Sequence, residues 1–153
     1  MKIILGVDPG ASGAVAFYVP SENRIAVHDM PTVGKDVDGA TLAALVSNWA
    51  PTHAVVEQVA SRPGQGVSSV FRFGSGYGVV LGVLAARGVP VHLVTPNKWK
   101  KTLGLDSDKE KSRALALRNW PGRSDLFGLK KHDGRAEAAL LAKYFAERVP
   151  GLG

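Results

Sequence analysis

The chain has 153 residues and no cysteine, which excludes disulfide bonds, cysteine nucleophiles and zinc sites built from thiolates. Its first residues lack the basic, apolar and small-residue order of a signal peptide, so we expect no leader of that kind. We also expect no apolar run long enough, and free enough of charge, to span a bilayer. The lack of cysteine is consistent with a reducing cytosol.

The excess of positive over negative charge lies in one segment of the chain. The net charge is +6, from 19 Lys and Arg against 13 Asp and Glu. Residues 95–135 contain 11 of the basic and 5 of the acidic residues, and the rest of the chain is balanced. This separation favours a surface that binds a polyanion such as nucleic acid. An ordinary solvated helical surface is an equal alternative on charge alone.

The apolar segments predict an α/β fold in a single domain over residues 1–153. Three strands joined by short links should be antiparallel, and later strands should return through helical crossovers. The result is a mixed five-stranded sheet flanked by helices. The predicted segments are strands at 2–7, 14–19 and 24–30, a helix at 39–49, a strand at 53–58, a helix at 67–87, a strand at 89–94, helices at 95–104 and 108–120, a loop at 122–131, and a helix at 133–149.

Carboxylates follow two of the apolar strands and begin the last helix. Asp8 ends the first strand and Glu57 ends the fourth, while Asp133 and Glu137 share one helix face because they are four residues apart. Acids that meet at one sheet edge would repel one another without a cation. Oxygen ligands without sulfur suit Mg²⁺ or Mn²⁺. Two such ions at one site are typical of phosphodiester chemistry.

Four short motifs together resemble the RuvC-type Holliday-junction resolvases, in a compact phage-like form. They cover almost the whole chain in the order of that family. The resemblance implies an RNase H-like fold, a homodimer and two ions of Mg²⁺ per active site, with Mn²⁺ as a substitute. It also implies action on four-way or branched DNA in the cytoplasm of a bacterial or phage-infected cell, without a membrane or a small-molecule cofactor. The motifs are GVDPG at 6–10, VEQ at 56–58, TPNKWK at 95–100 and DGRAEA at 133–138.

The same resemblance assigns roles to the acidic residues. Asp8 resembles the residue that bridges both metal ions, Glu57 the second ligand, and Glu137 the final acid of the closing helix. The bacterial pattern has acids three residues apart in that helix, but this chain has Gly134 at the earlier position. We favour Asp133 as the fourth ligand over His132. His132 could instead position the attacking water as a nearby base.

Basic residues of the positive segment are predicted to contact DNA phosphates. Four of them, at positions 101, 109, 130 and 131, are also candidates to stabilise charge in the transition state. The predicted phosphate contacts are Lys98, Lys100, Lys101, Lys109, Lys111, Arg113, Lys130 and Lys131.

Aromatic and small residues lead to three further expectations. Phe71 and Phe73 could probe the centre of the junction, although plain helix packing is the preferred alternative. Trp99 should anchor its short helix in the core. The glycines at 74, 78 and 82 form a stripe that should pack either against the sheet or against a second subunit.

The resulting hypothesis is a metal-dependent endonuclease that resolves four-way DNA junctions by paired symmetric nicks, with a metal-activated water as the nucleophile. One alternative is a nuclease of the same fold that acts on flaps, forks or RNA–DNA hybrids. Another is a junction-binding protein without catalytic activity. An ATP-binding protein of the kinase and actin type is disfavoured, because the chain is too short for two lobes.

Overall fold

All five predicted strands are present and form the central sheet. A computed structural model describes residues 1–149 and residue 151 of the chain, so residues 150, 152 and 153 of the predicted domain lie outside the described residues. The five-stranded sheet has the order β3-β2-β1-β6-β7. Its strands are β1 (Ile4–Asp8), β2 (Ala14–Val19), β3 (Arg24–Asp29), β6 (His53–Glu57) and β7 (Val91–Val94).

The sheet is mixed, as predicted. Strand β1 pairs antiparallel with β2, and β2 pairs antiparallel with β3. Strand β6 is parallel to both β1 and β7. The three central strands are almost entirely buried, which explains why they read as continuous apolar runs rather than as alternating patterns.

Helices cover both faces of the sheet. Ile4 and Val55 point into a core built largely by the last helix, while their neighbours Leu5 and Val56 point into a second core on the opposite face. This alternation follows from the period of two along a strand. The helices are α1 (Gly39–Trp49), α2 (Val67–Ala86), α3 (Pro96–Thr102), α4 (Lys109–Asn119), α5 (Ser124–Phe127) and α6 (Asp133–Arg148).

A small hairpin between β3 and α1 was not predicted. Its strands are β4 (Thr32–Val33) and β5 (Asp36–Val37), and Gly34 turns between them at a positive φ of 61°. Two-residue strands carry no periodic signal, so their sequence does not reveal them. Val37 packs on α2, where a Cβ at Gly76 would lie 3.0 Å from its Cγ2.

The segment expected to be a loop, 122–131, contains more structure than predicted. It includes α5 and the start of a 3₁₀ turn at Lys130–His132. The sequence Ser107-Asp108-Lys109-Glu110 predicts a capping box that begins at Ser107. In the structure Asp108 is the N-cap of α4 instead, and its side chain accepts a hydrogen bond from the Glu110 N–H.

The expectation that no segment is apolar enough to span a bilayer is wrong for α2. By length and composition alone, this 20-residue helix could cross a membrane, and only 17% of its most apolar stretch is buried. Of its buried residues, Gly76 faces Val37 of the hairpin, while Val80 and Leu84 belong to the core on this face of the sheet. The other face of α2 is therefore apolar and exposed.

Candidate active site

Two parallel strands bring the first pair of acids to one edge of the sheet. Val7 of β1 is paired with Val56 of β6, so Asp8 and Glu57 leave the sheet side by side. Glu57 is paired in turn with Val94, the last residue of β7. The sheet register therefore places the end of each parallel strand at the same edge, as the sequence predicted.

Helix α6 lies directly on β1 and adds the remaining acids. A Cβ at Gly6 would lie 2.2 Å from the carbonyl oxygen of Ala138, so only glycine allows this approach. A Cβ at Gly134 would lie 3.2 Å from Oδ2 of Asp8. The first turn of α6 is thus held against Asp8, and it carries Glu137 into the same site.

The acids of this site are buried and influence one another. Glu57 is 8% exposed and Glu137 is 4% exposed, while Asp8 is partly buried. Burial, followed by the charges of Glu137 and Glu57, raises the pKa of Asp8 well above its usual value. Burial also raises the pKa of Glu57: it outweighs a hydrogen bond from Trp99 that lowers this pKa, and the charge of Glu137 adds a smaller increase. The carboxylates therefore form one electrostatic cluster.

Trp99 orients Glu57 from the next helix along the chain. Helix α3 starts just after β7, and Trp99 on it is fully buried, which confirms its predicted anchoring role. Its indole Nε1–H donates to Oε2 of Glu57 over 2.9 Å. The hydrogen bond between Trp99 and Glu57 was not predicted from the sequence. The pairing of Glu57 with Val94 could have indicated it, because α3 must begin beside Glu57.

Two lysines bind the acid at the centre of the cluster. Nζ of Lys100 and Nζ of Lys109 each lie 3.0 Å from Oε1 of Glu137, and Lys109 is 3.7 Å from Oδ2 of Asp133. Burial alone would lower the pKa of Lys109, but the hydrogen bond and charge of Glu137 outweigh it and raise that pKa. Lys109 was predicted near the reacting groups, whereas Lys100 was predicted only as a phosphate contact.

His132 lies close to this site in sequence but has other partners. It is 5% exposed, and its Nδ1 accepts a hydrogen bond from the Leu129 N–H over 3.2 Å. Burial, Arg135 and Lys131 lower its pKa, and the charge of Asp29 opposes them. The side chain of Asp133 is 34% exposed and lies 3.7 Å from Nζ of Lys109. The choice between Asp133 and His132 as fourth ligand, and the role of His132 as a base, stay predictions.

The donor chemistry of the cluster fits hard divalent cations, but the side chains are not arranged around one. Within the part of the chain that the structure describes, no group of three or more acidic or histidine side chains stands ready to hold a metal ion. The lysine ammonium groups instead contact Glu137. The available ligands are nevertheless carboxylate oxygens, and the chain has no cysteine, which suits Mg²⁺ or Mn²⁺. A bound cation would also relieve the repulsion that Glu137 and Glu57 exert on Asp8.

Among the other predicted DNA contacts, some side chains are bound to groups of the protein and others are exposed without such a contact in the described residues. The guanidinium of Arg113 donates to the carbonyl oxygens of Phe127 and Gly128, so it fastens α4 to the following segment rather than facing solvent. Lys111 pairs with Asp106 at 2.5 Å. The remaining predicted phosphate contacts are exposed: Lys98, Lys101, Lys130 and Lys131.

The two candidate aromatic probes have different surroundings. Phe71 is 76% exposed on α2, whereas Phe73 is 36% exposed and lies over the turn that follows Asp8. A Cβ at Gly10 would lie 3.0 Å from the Phe73 ring. Phe73 is thus partly covered by the turn after β1 and Phe71 is not, and the role of either ring as a probe of the junction stays a prediction.

Comparison with known proteins agrees with this geometry. The structure of Thermus thermophilus RuvC in complex with a Holliday junction substrate superposes with a TM-score of 0.61 and 18% identity, covering 96% of each chain. The yeast mitochondrial Holliday junction resolvase Ydc2 gives a TM-score of 0.55 and 19% identity over 94% of this chain and 77% of that one. This chain has the RuvC fold.

Similarity at the level of the sequence extends over a shorter span. The chloroplastic Holliday junction resolvase MOC1 of Chlamydomonas reinhardtii is 34% identical over 84 residues. That match spans 54% of this chain and only 10% of the larger protein. No protein-family model matches the chain. The predicted resemblance to RuvC-type resolvases is thus confirmed at the level of the fold, with sequence similarity over about half of the chain.

Proposed function

We propose that this protein is a metal-dependent endonuclease that resolves four-way DNA junctions by paired symmetric nicks. The observation that carries the proposal is the convergence of Asp8, Glu57 and Glu137 at one edge of a RuvC fold, with Lys100 and Lys109 bound to the last of them. The cytoplasm of a bacterial or phage-infected cell is the proposed place of action.

Divalent cations would be held by the four acids of the site, Asp8, Glu57, Asp133 and Glu137. We propose two ions of Mg²⁺, with Mn²⁺ as a substitute, because paired ions suit phosphodiester hydrolysis. Such ions supply charge stabilisation for the attacking and leaving oxygens of the phosphate.

The residues of the chain itself prepare this site. Trp99 holds one oxygen of Glu57 and so fixes the direction in which the other points. Lys100 and Lys109 place two positive charges beside Glu137, where a scissile phosphate would approach. Their ammonium groups can move from the carboxylate to the phosphate and stabilise the charge that develops there.

Binding of the DNA backbone would rely on the exposed lysines of the positive segment. Lys98, Lys101, Lys130 and Lys131 are exposed near the elements that carry the acids. Contacts to phosphate fix position without reading sequence and release counterions. We therefore expect affinity for a junction to fall steeply as salt increases.

A homodimer is proposed through the exposed face of α2. Gly74, Gly78 and Gly82 are exposed, and a Cβ at any of them would meet nothing within 4 Å. The alternative that this stripe packs against the chain's own sheet is therefore wrong. Val67 and Phe71, 86% and 76% exposed, continue the same face. Close approach of a second α2 would bury this apolar surface and explain why it lacks charge.

The decisive experiment is a nicking assay on a movable four-way junction with mapped cut sites. We expect paired nicks in strands of the same polarity, dependent on Mg²⁺ and leaving ends that a ligase can seal. Asp8→Asn should abolish nicking, while Asp36→Asn, the same change at an exposed site on β5, should leave it intact.

A panel of other substrates distinguishes junction resolution from the related nuclease activities. Flaps, forks and RNA–DNA hybrids are assayed beside the junction under the same conditions. If a hybrid is cut far faster than the junction, the protein is a different nuclease of this fold. If Asp8→Asn binds junctions normally and retains the biological activity of the wild type, the protein is a junction binder without a catalytic role.

A further inference from the structure

Arg135 is the charged residue between the two acids of α6, and the proposed reaction gives it no role. It lies two residues after Asp133 and two residues before Glu137. Since each residue turns an α-helix by about 100°, its side chain leaves the helix on the side opposite to those acids. Arg135 therefore points away from the acidic cluster.

The guanidinium of Arg135 binds the last residue of β3. Its Nε donates to Oδ1 of Asp29 over 2.8 Å, and its Nη2 donates to Oδ2 over 3.0 Å, so the pair is bidentate. Its Nη1 also donates to the carbonyl oxygen of Leu126 over 3.3 Å. The side chain of Arg135 is 21% exposed, so little of it is left to solvent. A bidentate arginine fixes the direction as well as the distance between the elements that it joins.

The end of β3 is in turn bonded to the turn between β1 and β2. Asp29 is paired with Ala14 of β2, and the Met30 N–H donates to the carbonyl oxygen of Gly13 over 3.0 Å. The first turn of α6 rests on the same turn, because a Cβ at Gly134 would lie 3.4 Å from Cα of Gly13. The contacts thus form a closed circuit from α6 to β3, from β3 to the turn, and from the turn back to α6.

This circuit opposes the repulsion between the acids. Asp8 belongs to β1 and Glu137 to α6, and the charge of Glu137 acts unfavourably on Asp8. That repulsion tends to move the first turn of α6 away from β1. The pair of Arg135 and Asp29 resists the movement without adding a net charge to the site, because its two charges compensate each other outside the acidic cluster.

We propose that Arg135 is a positioning residue: its pair with Asp29 holds the first turn of α6, and with it Glu137, opposite the acids of the sheet for cation binding. The proposal rests on the function proposed above, since it names a residue on which the assembly of that site depends. Residues that orient metal ligands change metal affinity by about 10–100-fold when they are removed. Loss of Arg135 should therefore weaken cation binding and leave DNA binding unchanged.

A second arginine of the chain provides a matched control. Arg123 donates to Asp125 from Nε over 3.1 Å and from Nη2 over 3.2 Å, and from Nη1 to the carbonyl oxygen of Ile25 over 2.9 Å. It therefore makes one bidentate pair and one bond to a carbonyl oxygen, as Arg135 does. Ile25 lies near the start of β3, whereas Asp29 ends that strand beside the turn. Arg123→Gln thus removes equivalent contacts and leaves the first turn of α6 bound.

The test is a titration with Mg²⁺ that is read in two ways. The concentration that gives half of the rise in Tm is measured without DNA, and the concentration that gives half-maximal nicking is measured on a four-way junction. Junction affinity is measured separately in buffer with a chelator. The proteins are the wild type, Arg135→Gln, Arg135→Lys, Asp29→Asn, the double variant Arg135→Gln/Asp29→Asn, and Arg123→Gln.

Arg135→Gln and Asp29→Asn should each raise both Mg²⁺ midpoints by about tenfold. Because the two residues act as one pair, the double variant should have midpoints no higher than those of the more affected single variant. Arg135→Lys keeps the charge but loses the planar fork, so its midpoints should lie between those of the wild type and Arg135→Gln. Arg123→Gln should have the midpoints of the wild type, and junction affinity in chelator should be the same for all variants.

The proposal is overturned if Arg135→Gln leaves the Mg²⁺ midpoint of the melting curve unchanged, or if Arg123→Gln raises it by the same factor. Should Arg135→Gln fail to fold, Arg135→Lys and Asp29→Asn decide by the same criterion. A double variant with the product of the two single effects also overturns it, because the two residues would then act separately.

Two further outcomes concern the site as a whole. A wild type whose Tm does not respond to Mg²⁺ overturns the cation site and this inference together. A wild type that responds to Mg²⁺ but nicks no junction refutes the proposed nuclease function alone, and the melting curves, recorded without DNA, still decide the role of Arg135.

Discussion

Replacing Asp8 with asparagine should separate two effects on the stability of the fold: destabilisation by the buried acidic cluster and stabilisation by a bound cation. Burial of Asp8, together with repulsion from the charges of Glu137 and Glu57, raises its pKa well above the ordinary 3.8. The folded chain therefore holds this proton more tightly than the unfolded chain does. As pH rises from about 3.8 through the raised pKa, the unfolded chain loses the proton first and stability falls.

Asparagine cannot ionise, so Asp8→Asn escapes this loss. In buffer with a chelator at pH 7, the variant should melt at a higher temperature than the wild type. The difference should shrink as the pH is lowered through and below the ordinary value of 3.8, where the unfolded wild type also takes up this proton.

Mg²⁺ should act in the opposite direction. A cation at a hundredfold excess over its Kd stabilises the folded wild type by about 2.7 kcal/mol. For a chain of this size, that corresponds to a rise in Tm of roughly 5–10 °C. Asp8→Asn should gain much less, because it lacks the ligand proposed to bridge both ions.

Differential scanning calorimetry over a series of pH values and Mg²⁺ concentrations measures both effects. Equal Mg²⁺ shifts in the wild type and in Asp8→Asn would refute a shared metal site. A lower Tm for Asp8→Asn in chelator would refute the argument that repulsion and burial oppose folding at Asp8.

Three further results are expected. Trp99→Phe keeps a buried aromatic ring but removes the donor to Glu57. It should slow nicking and destabilise the fold by about 1.5–3 kcal/mol in urea unfolding, the range for a hydrogen bond to a charged group. Gly134→Ala should reduce nicking more than Gly122→Ala, because the added Cβ lies 3.2 Å from Oδ2 of Asp8 in the first case and meets nothing within 4 Å in the second; circular dichroism should show both folded. Phe71→Ala should change the free energy of unfolding by no more than about 0.5 kcal/mol because the ring is exposed, but it should weaken dimerisation in analytical ultracentrifugation, and an unchanged dimer would remove Phe71 from the proposed interface.

The sheet and its acidic edge could be predicted because their signals are local and mutually consistent. Each central strand is a short β-branched run bounded by turn residues, and Asp8 and Glu57 mark where two of those runs stop. Parallel pairing of neighbouring strands then places both acids at one edge.

Contacts that depend on how the helices pack against the sheet and against one another could not be predicted in this way. Lys100 was assigned to phosphate because its sequence neighbours are basic, and only the position of α3 shows that it reaches Glu137. Arg113 was assigned to DNA for the same reason, yet its guanidinium binds the carbonyl oxygens of Phe127 and Gly128. Charge patterning indicates where positive side chains are numerous but not which of them are already engaged.

Two glycines at the contact between β1 and α6 indicate how the fold serves its acidic site. Gly6 and Gly134 permit a helix-to-strand approach that no other residue allows without displacement, and this approach brings Glu137 to Asp8. The same approach creates the burial and repulsion that raise the pKa of Asp8. A wider spacing would relieve both and would tolerate alanine, so tight packing here opposes stability at the acids while concentrating their charge. A chain that needed only a stable sheet would have no reason to retain that conflict, whereas a site for cations and phosphate depends on it.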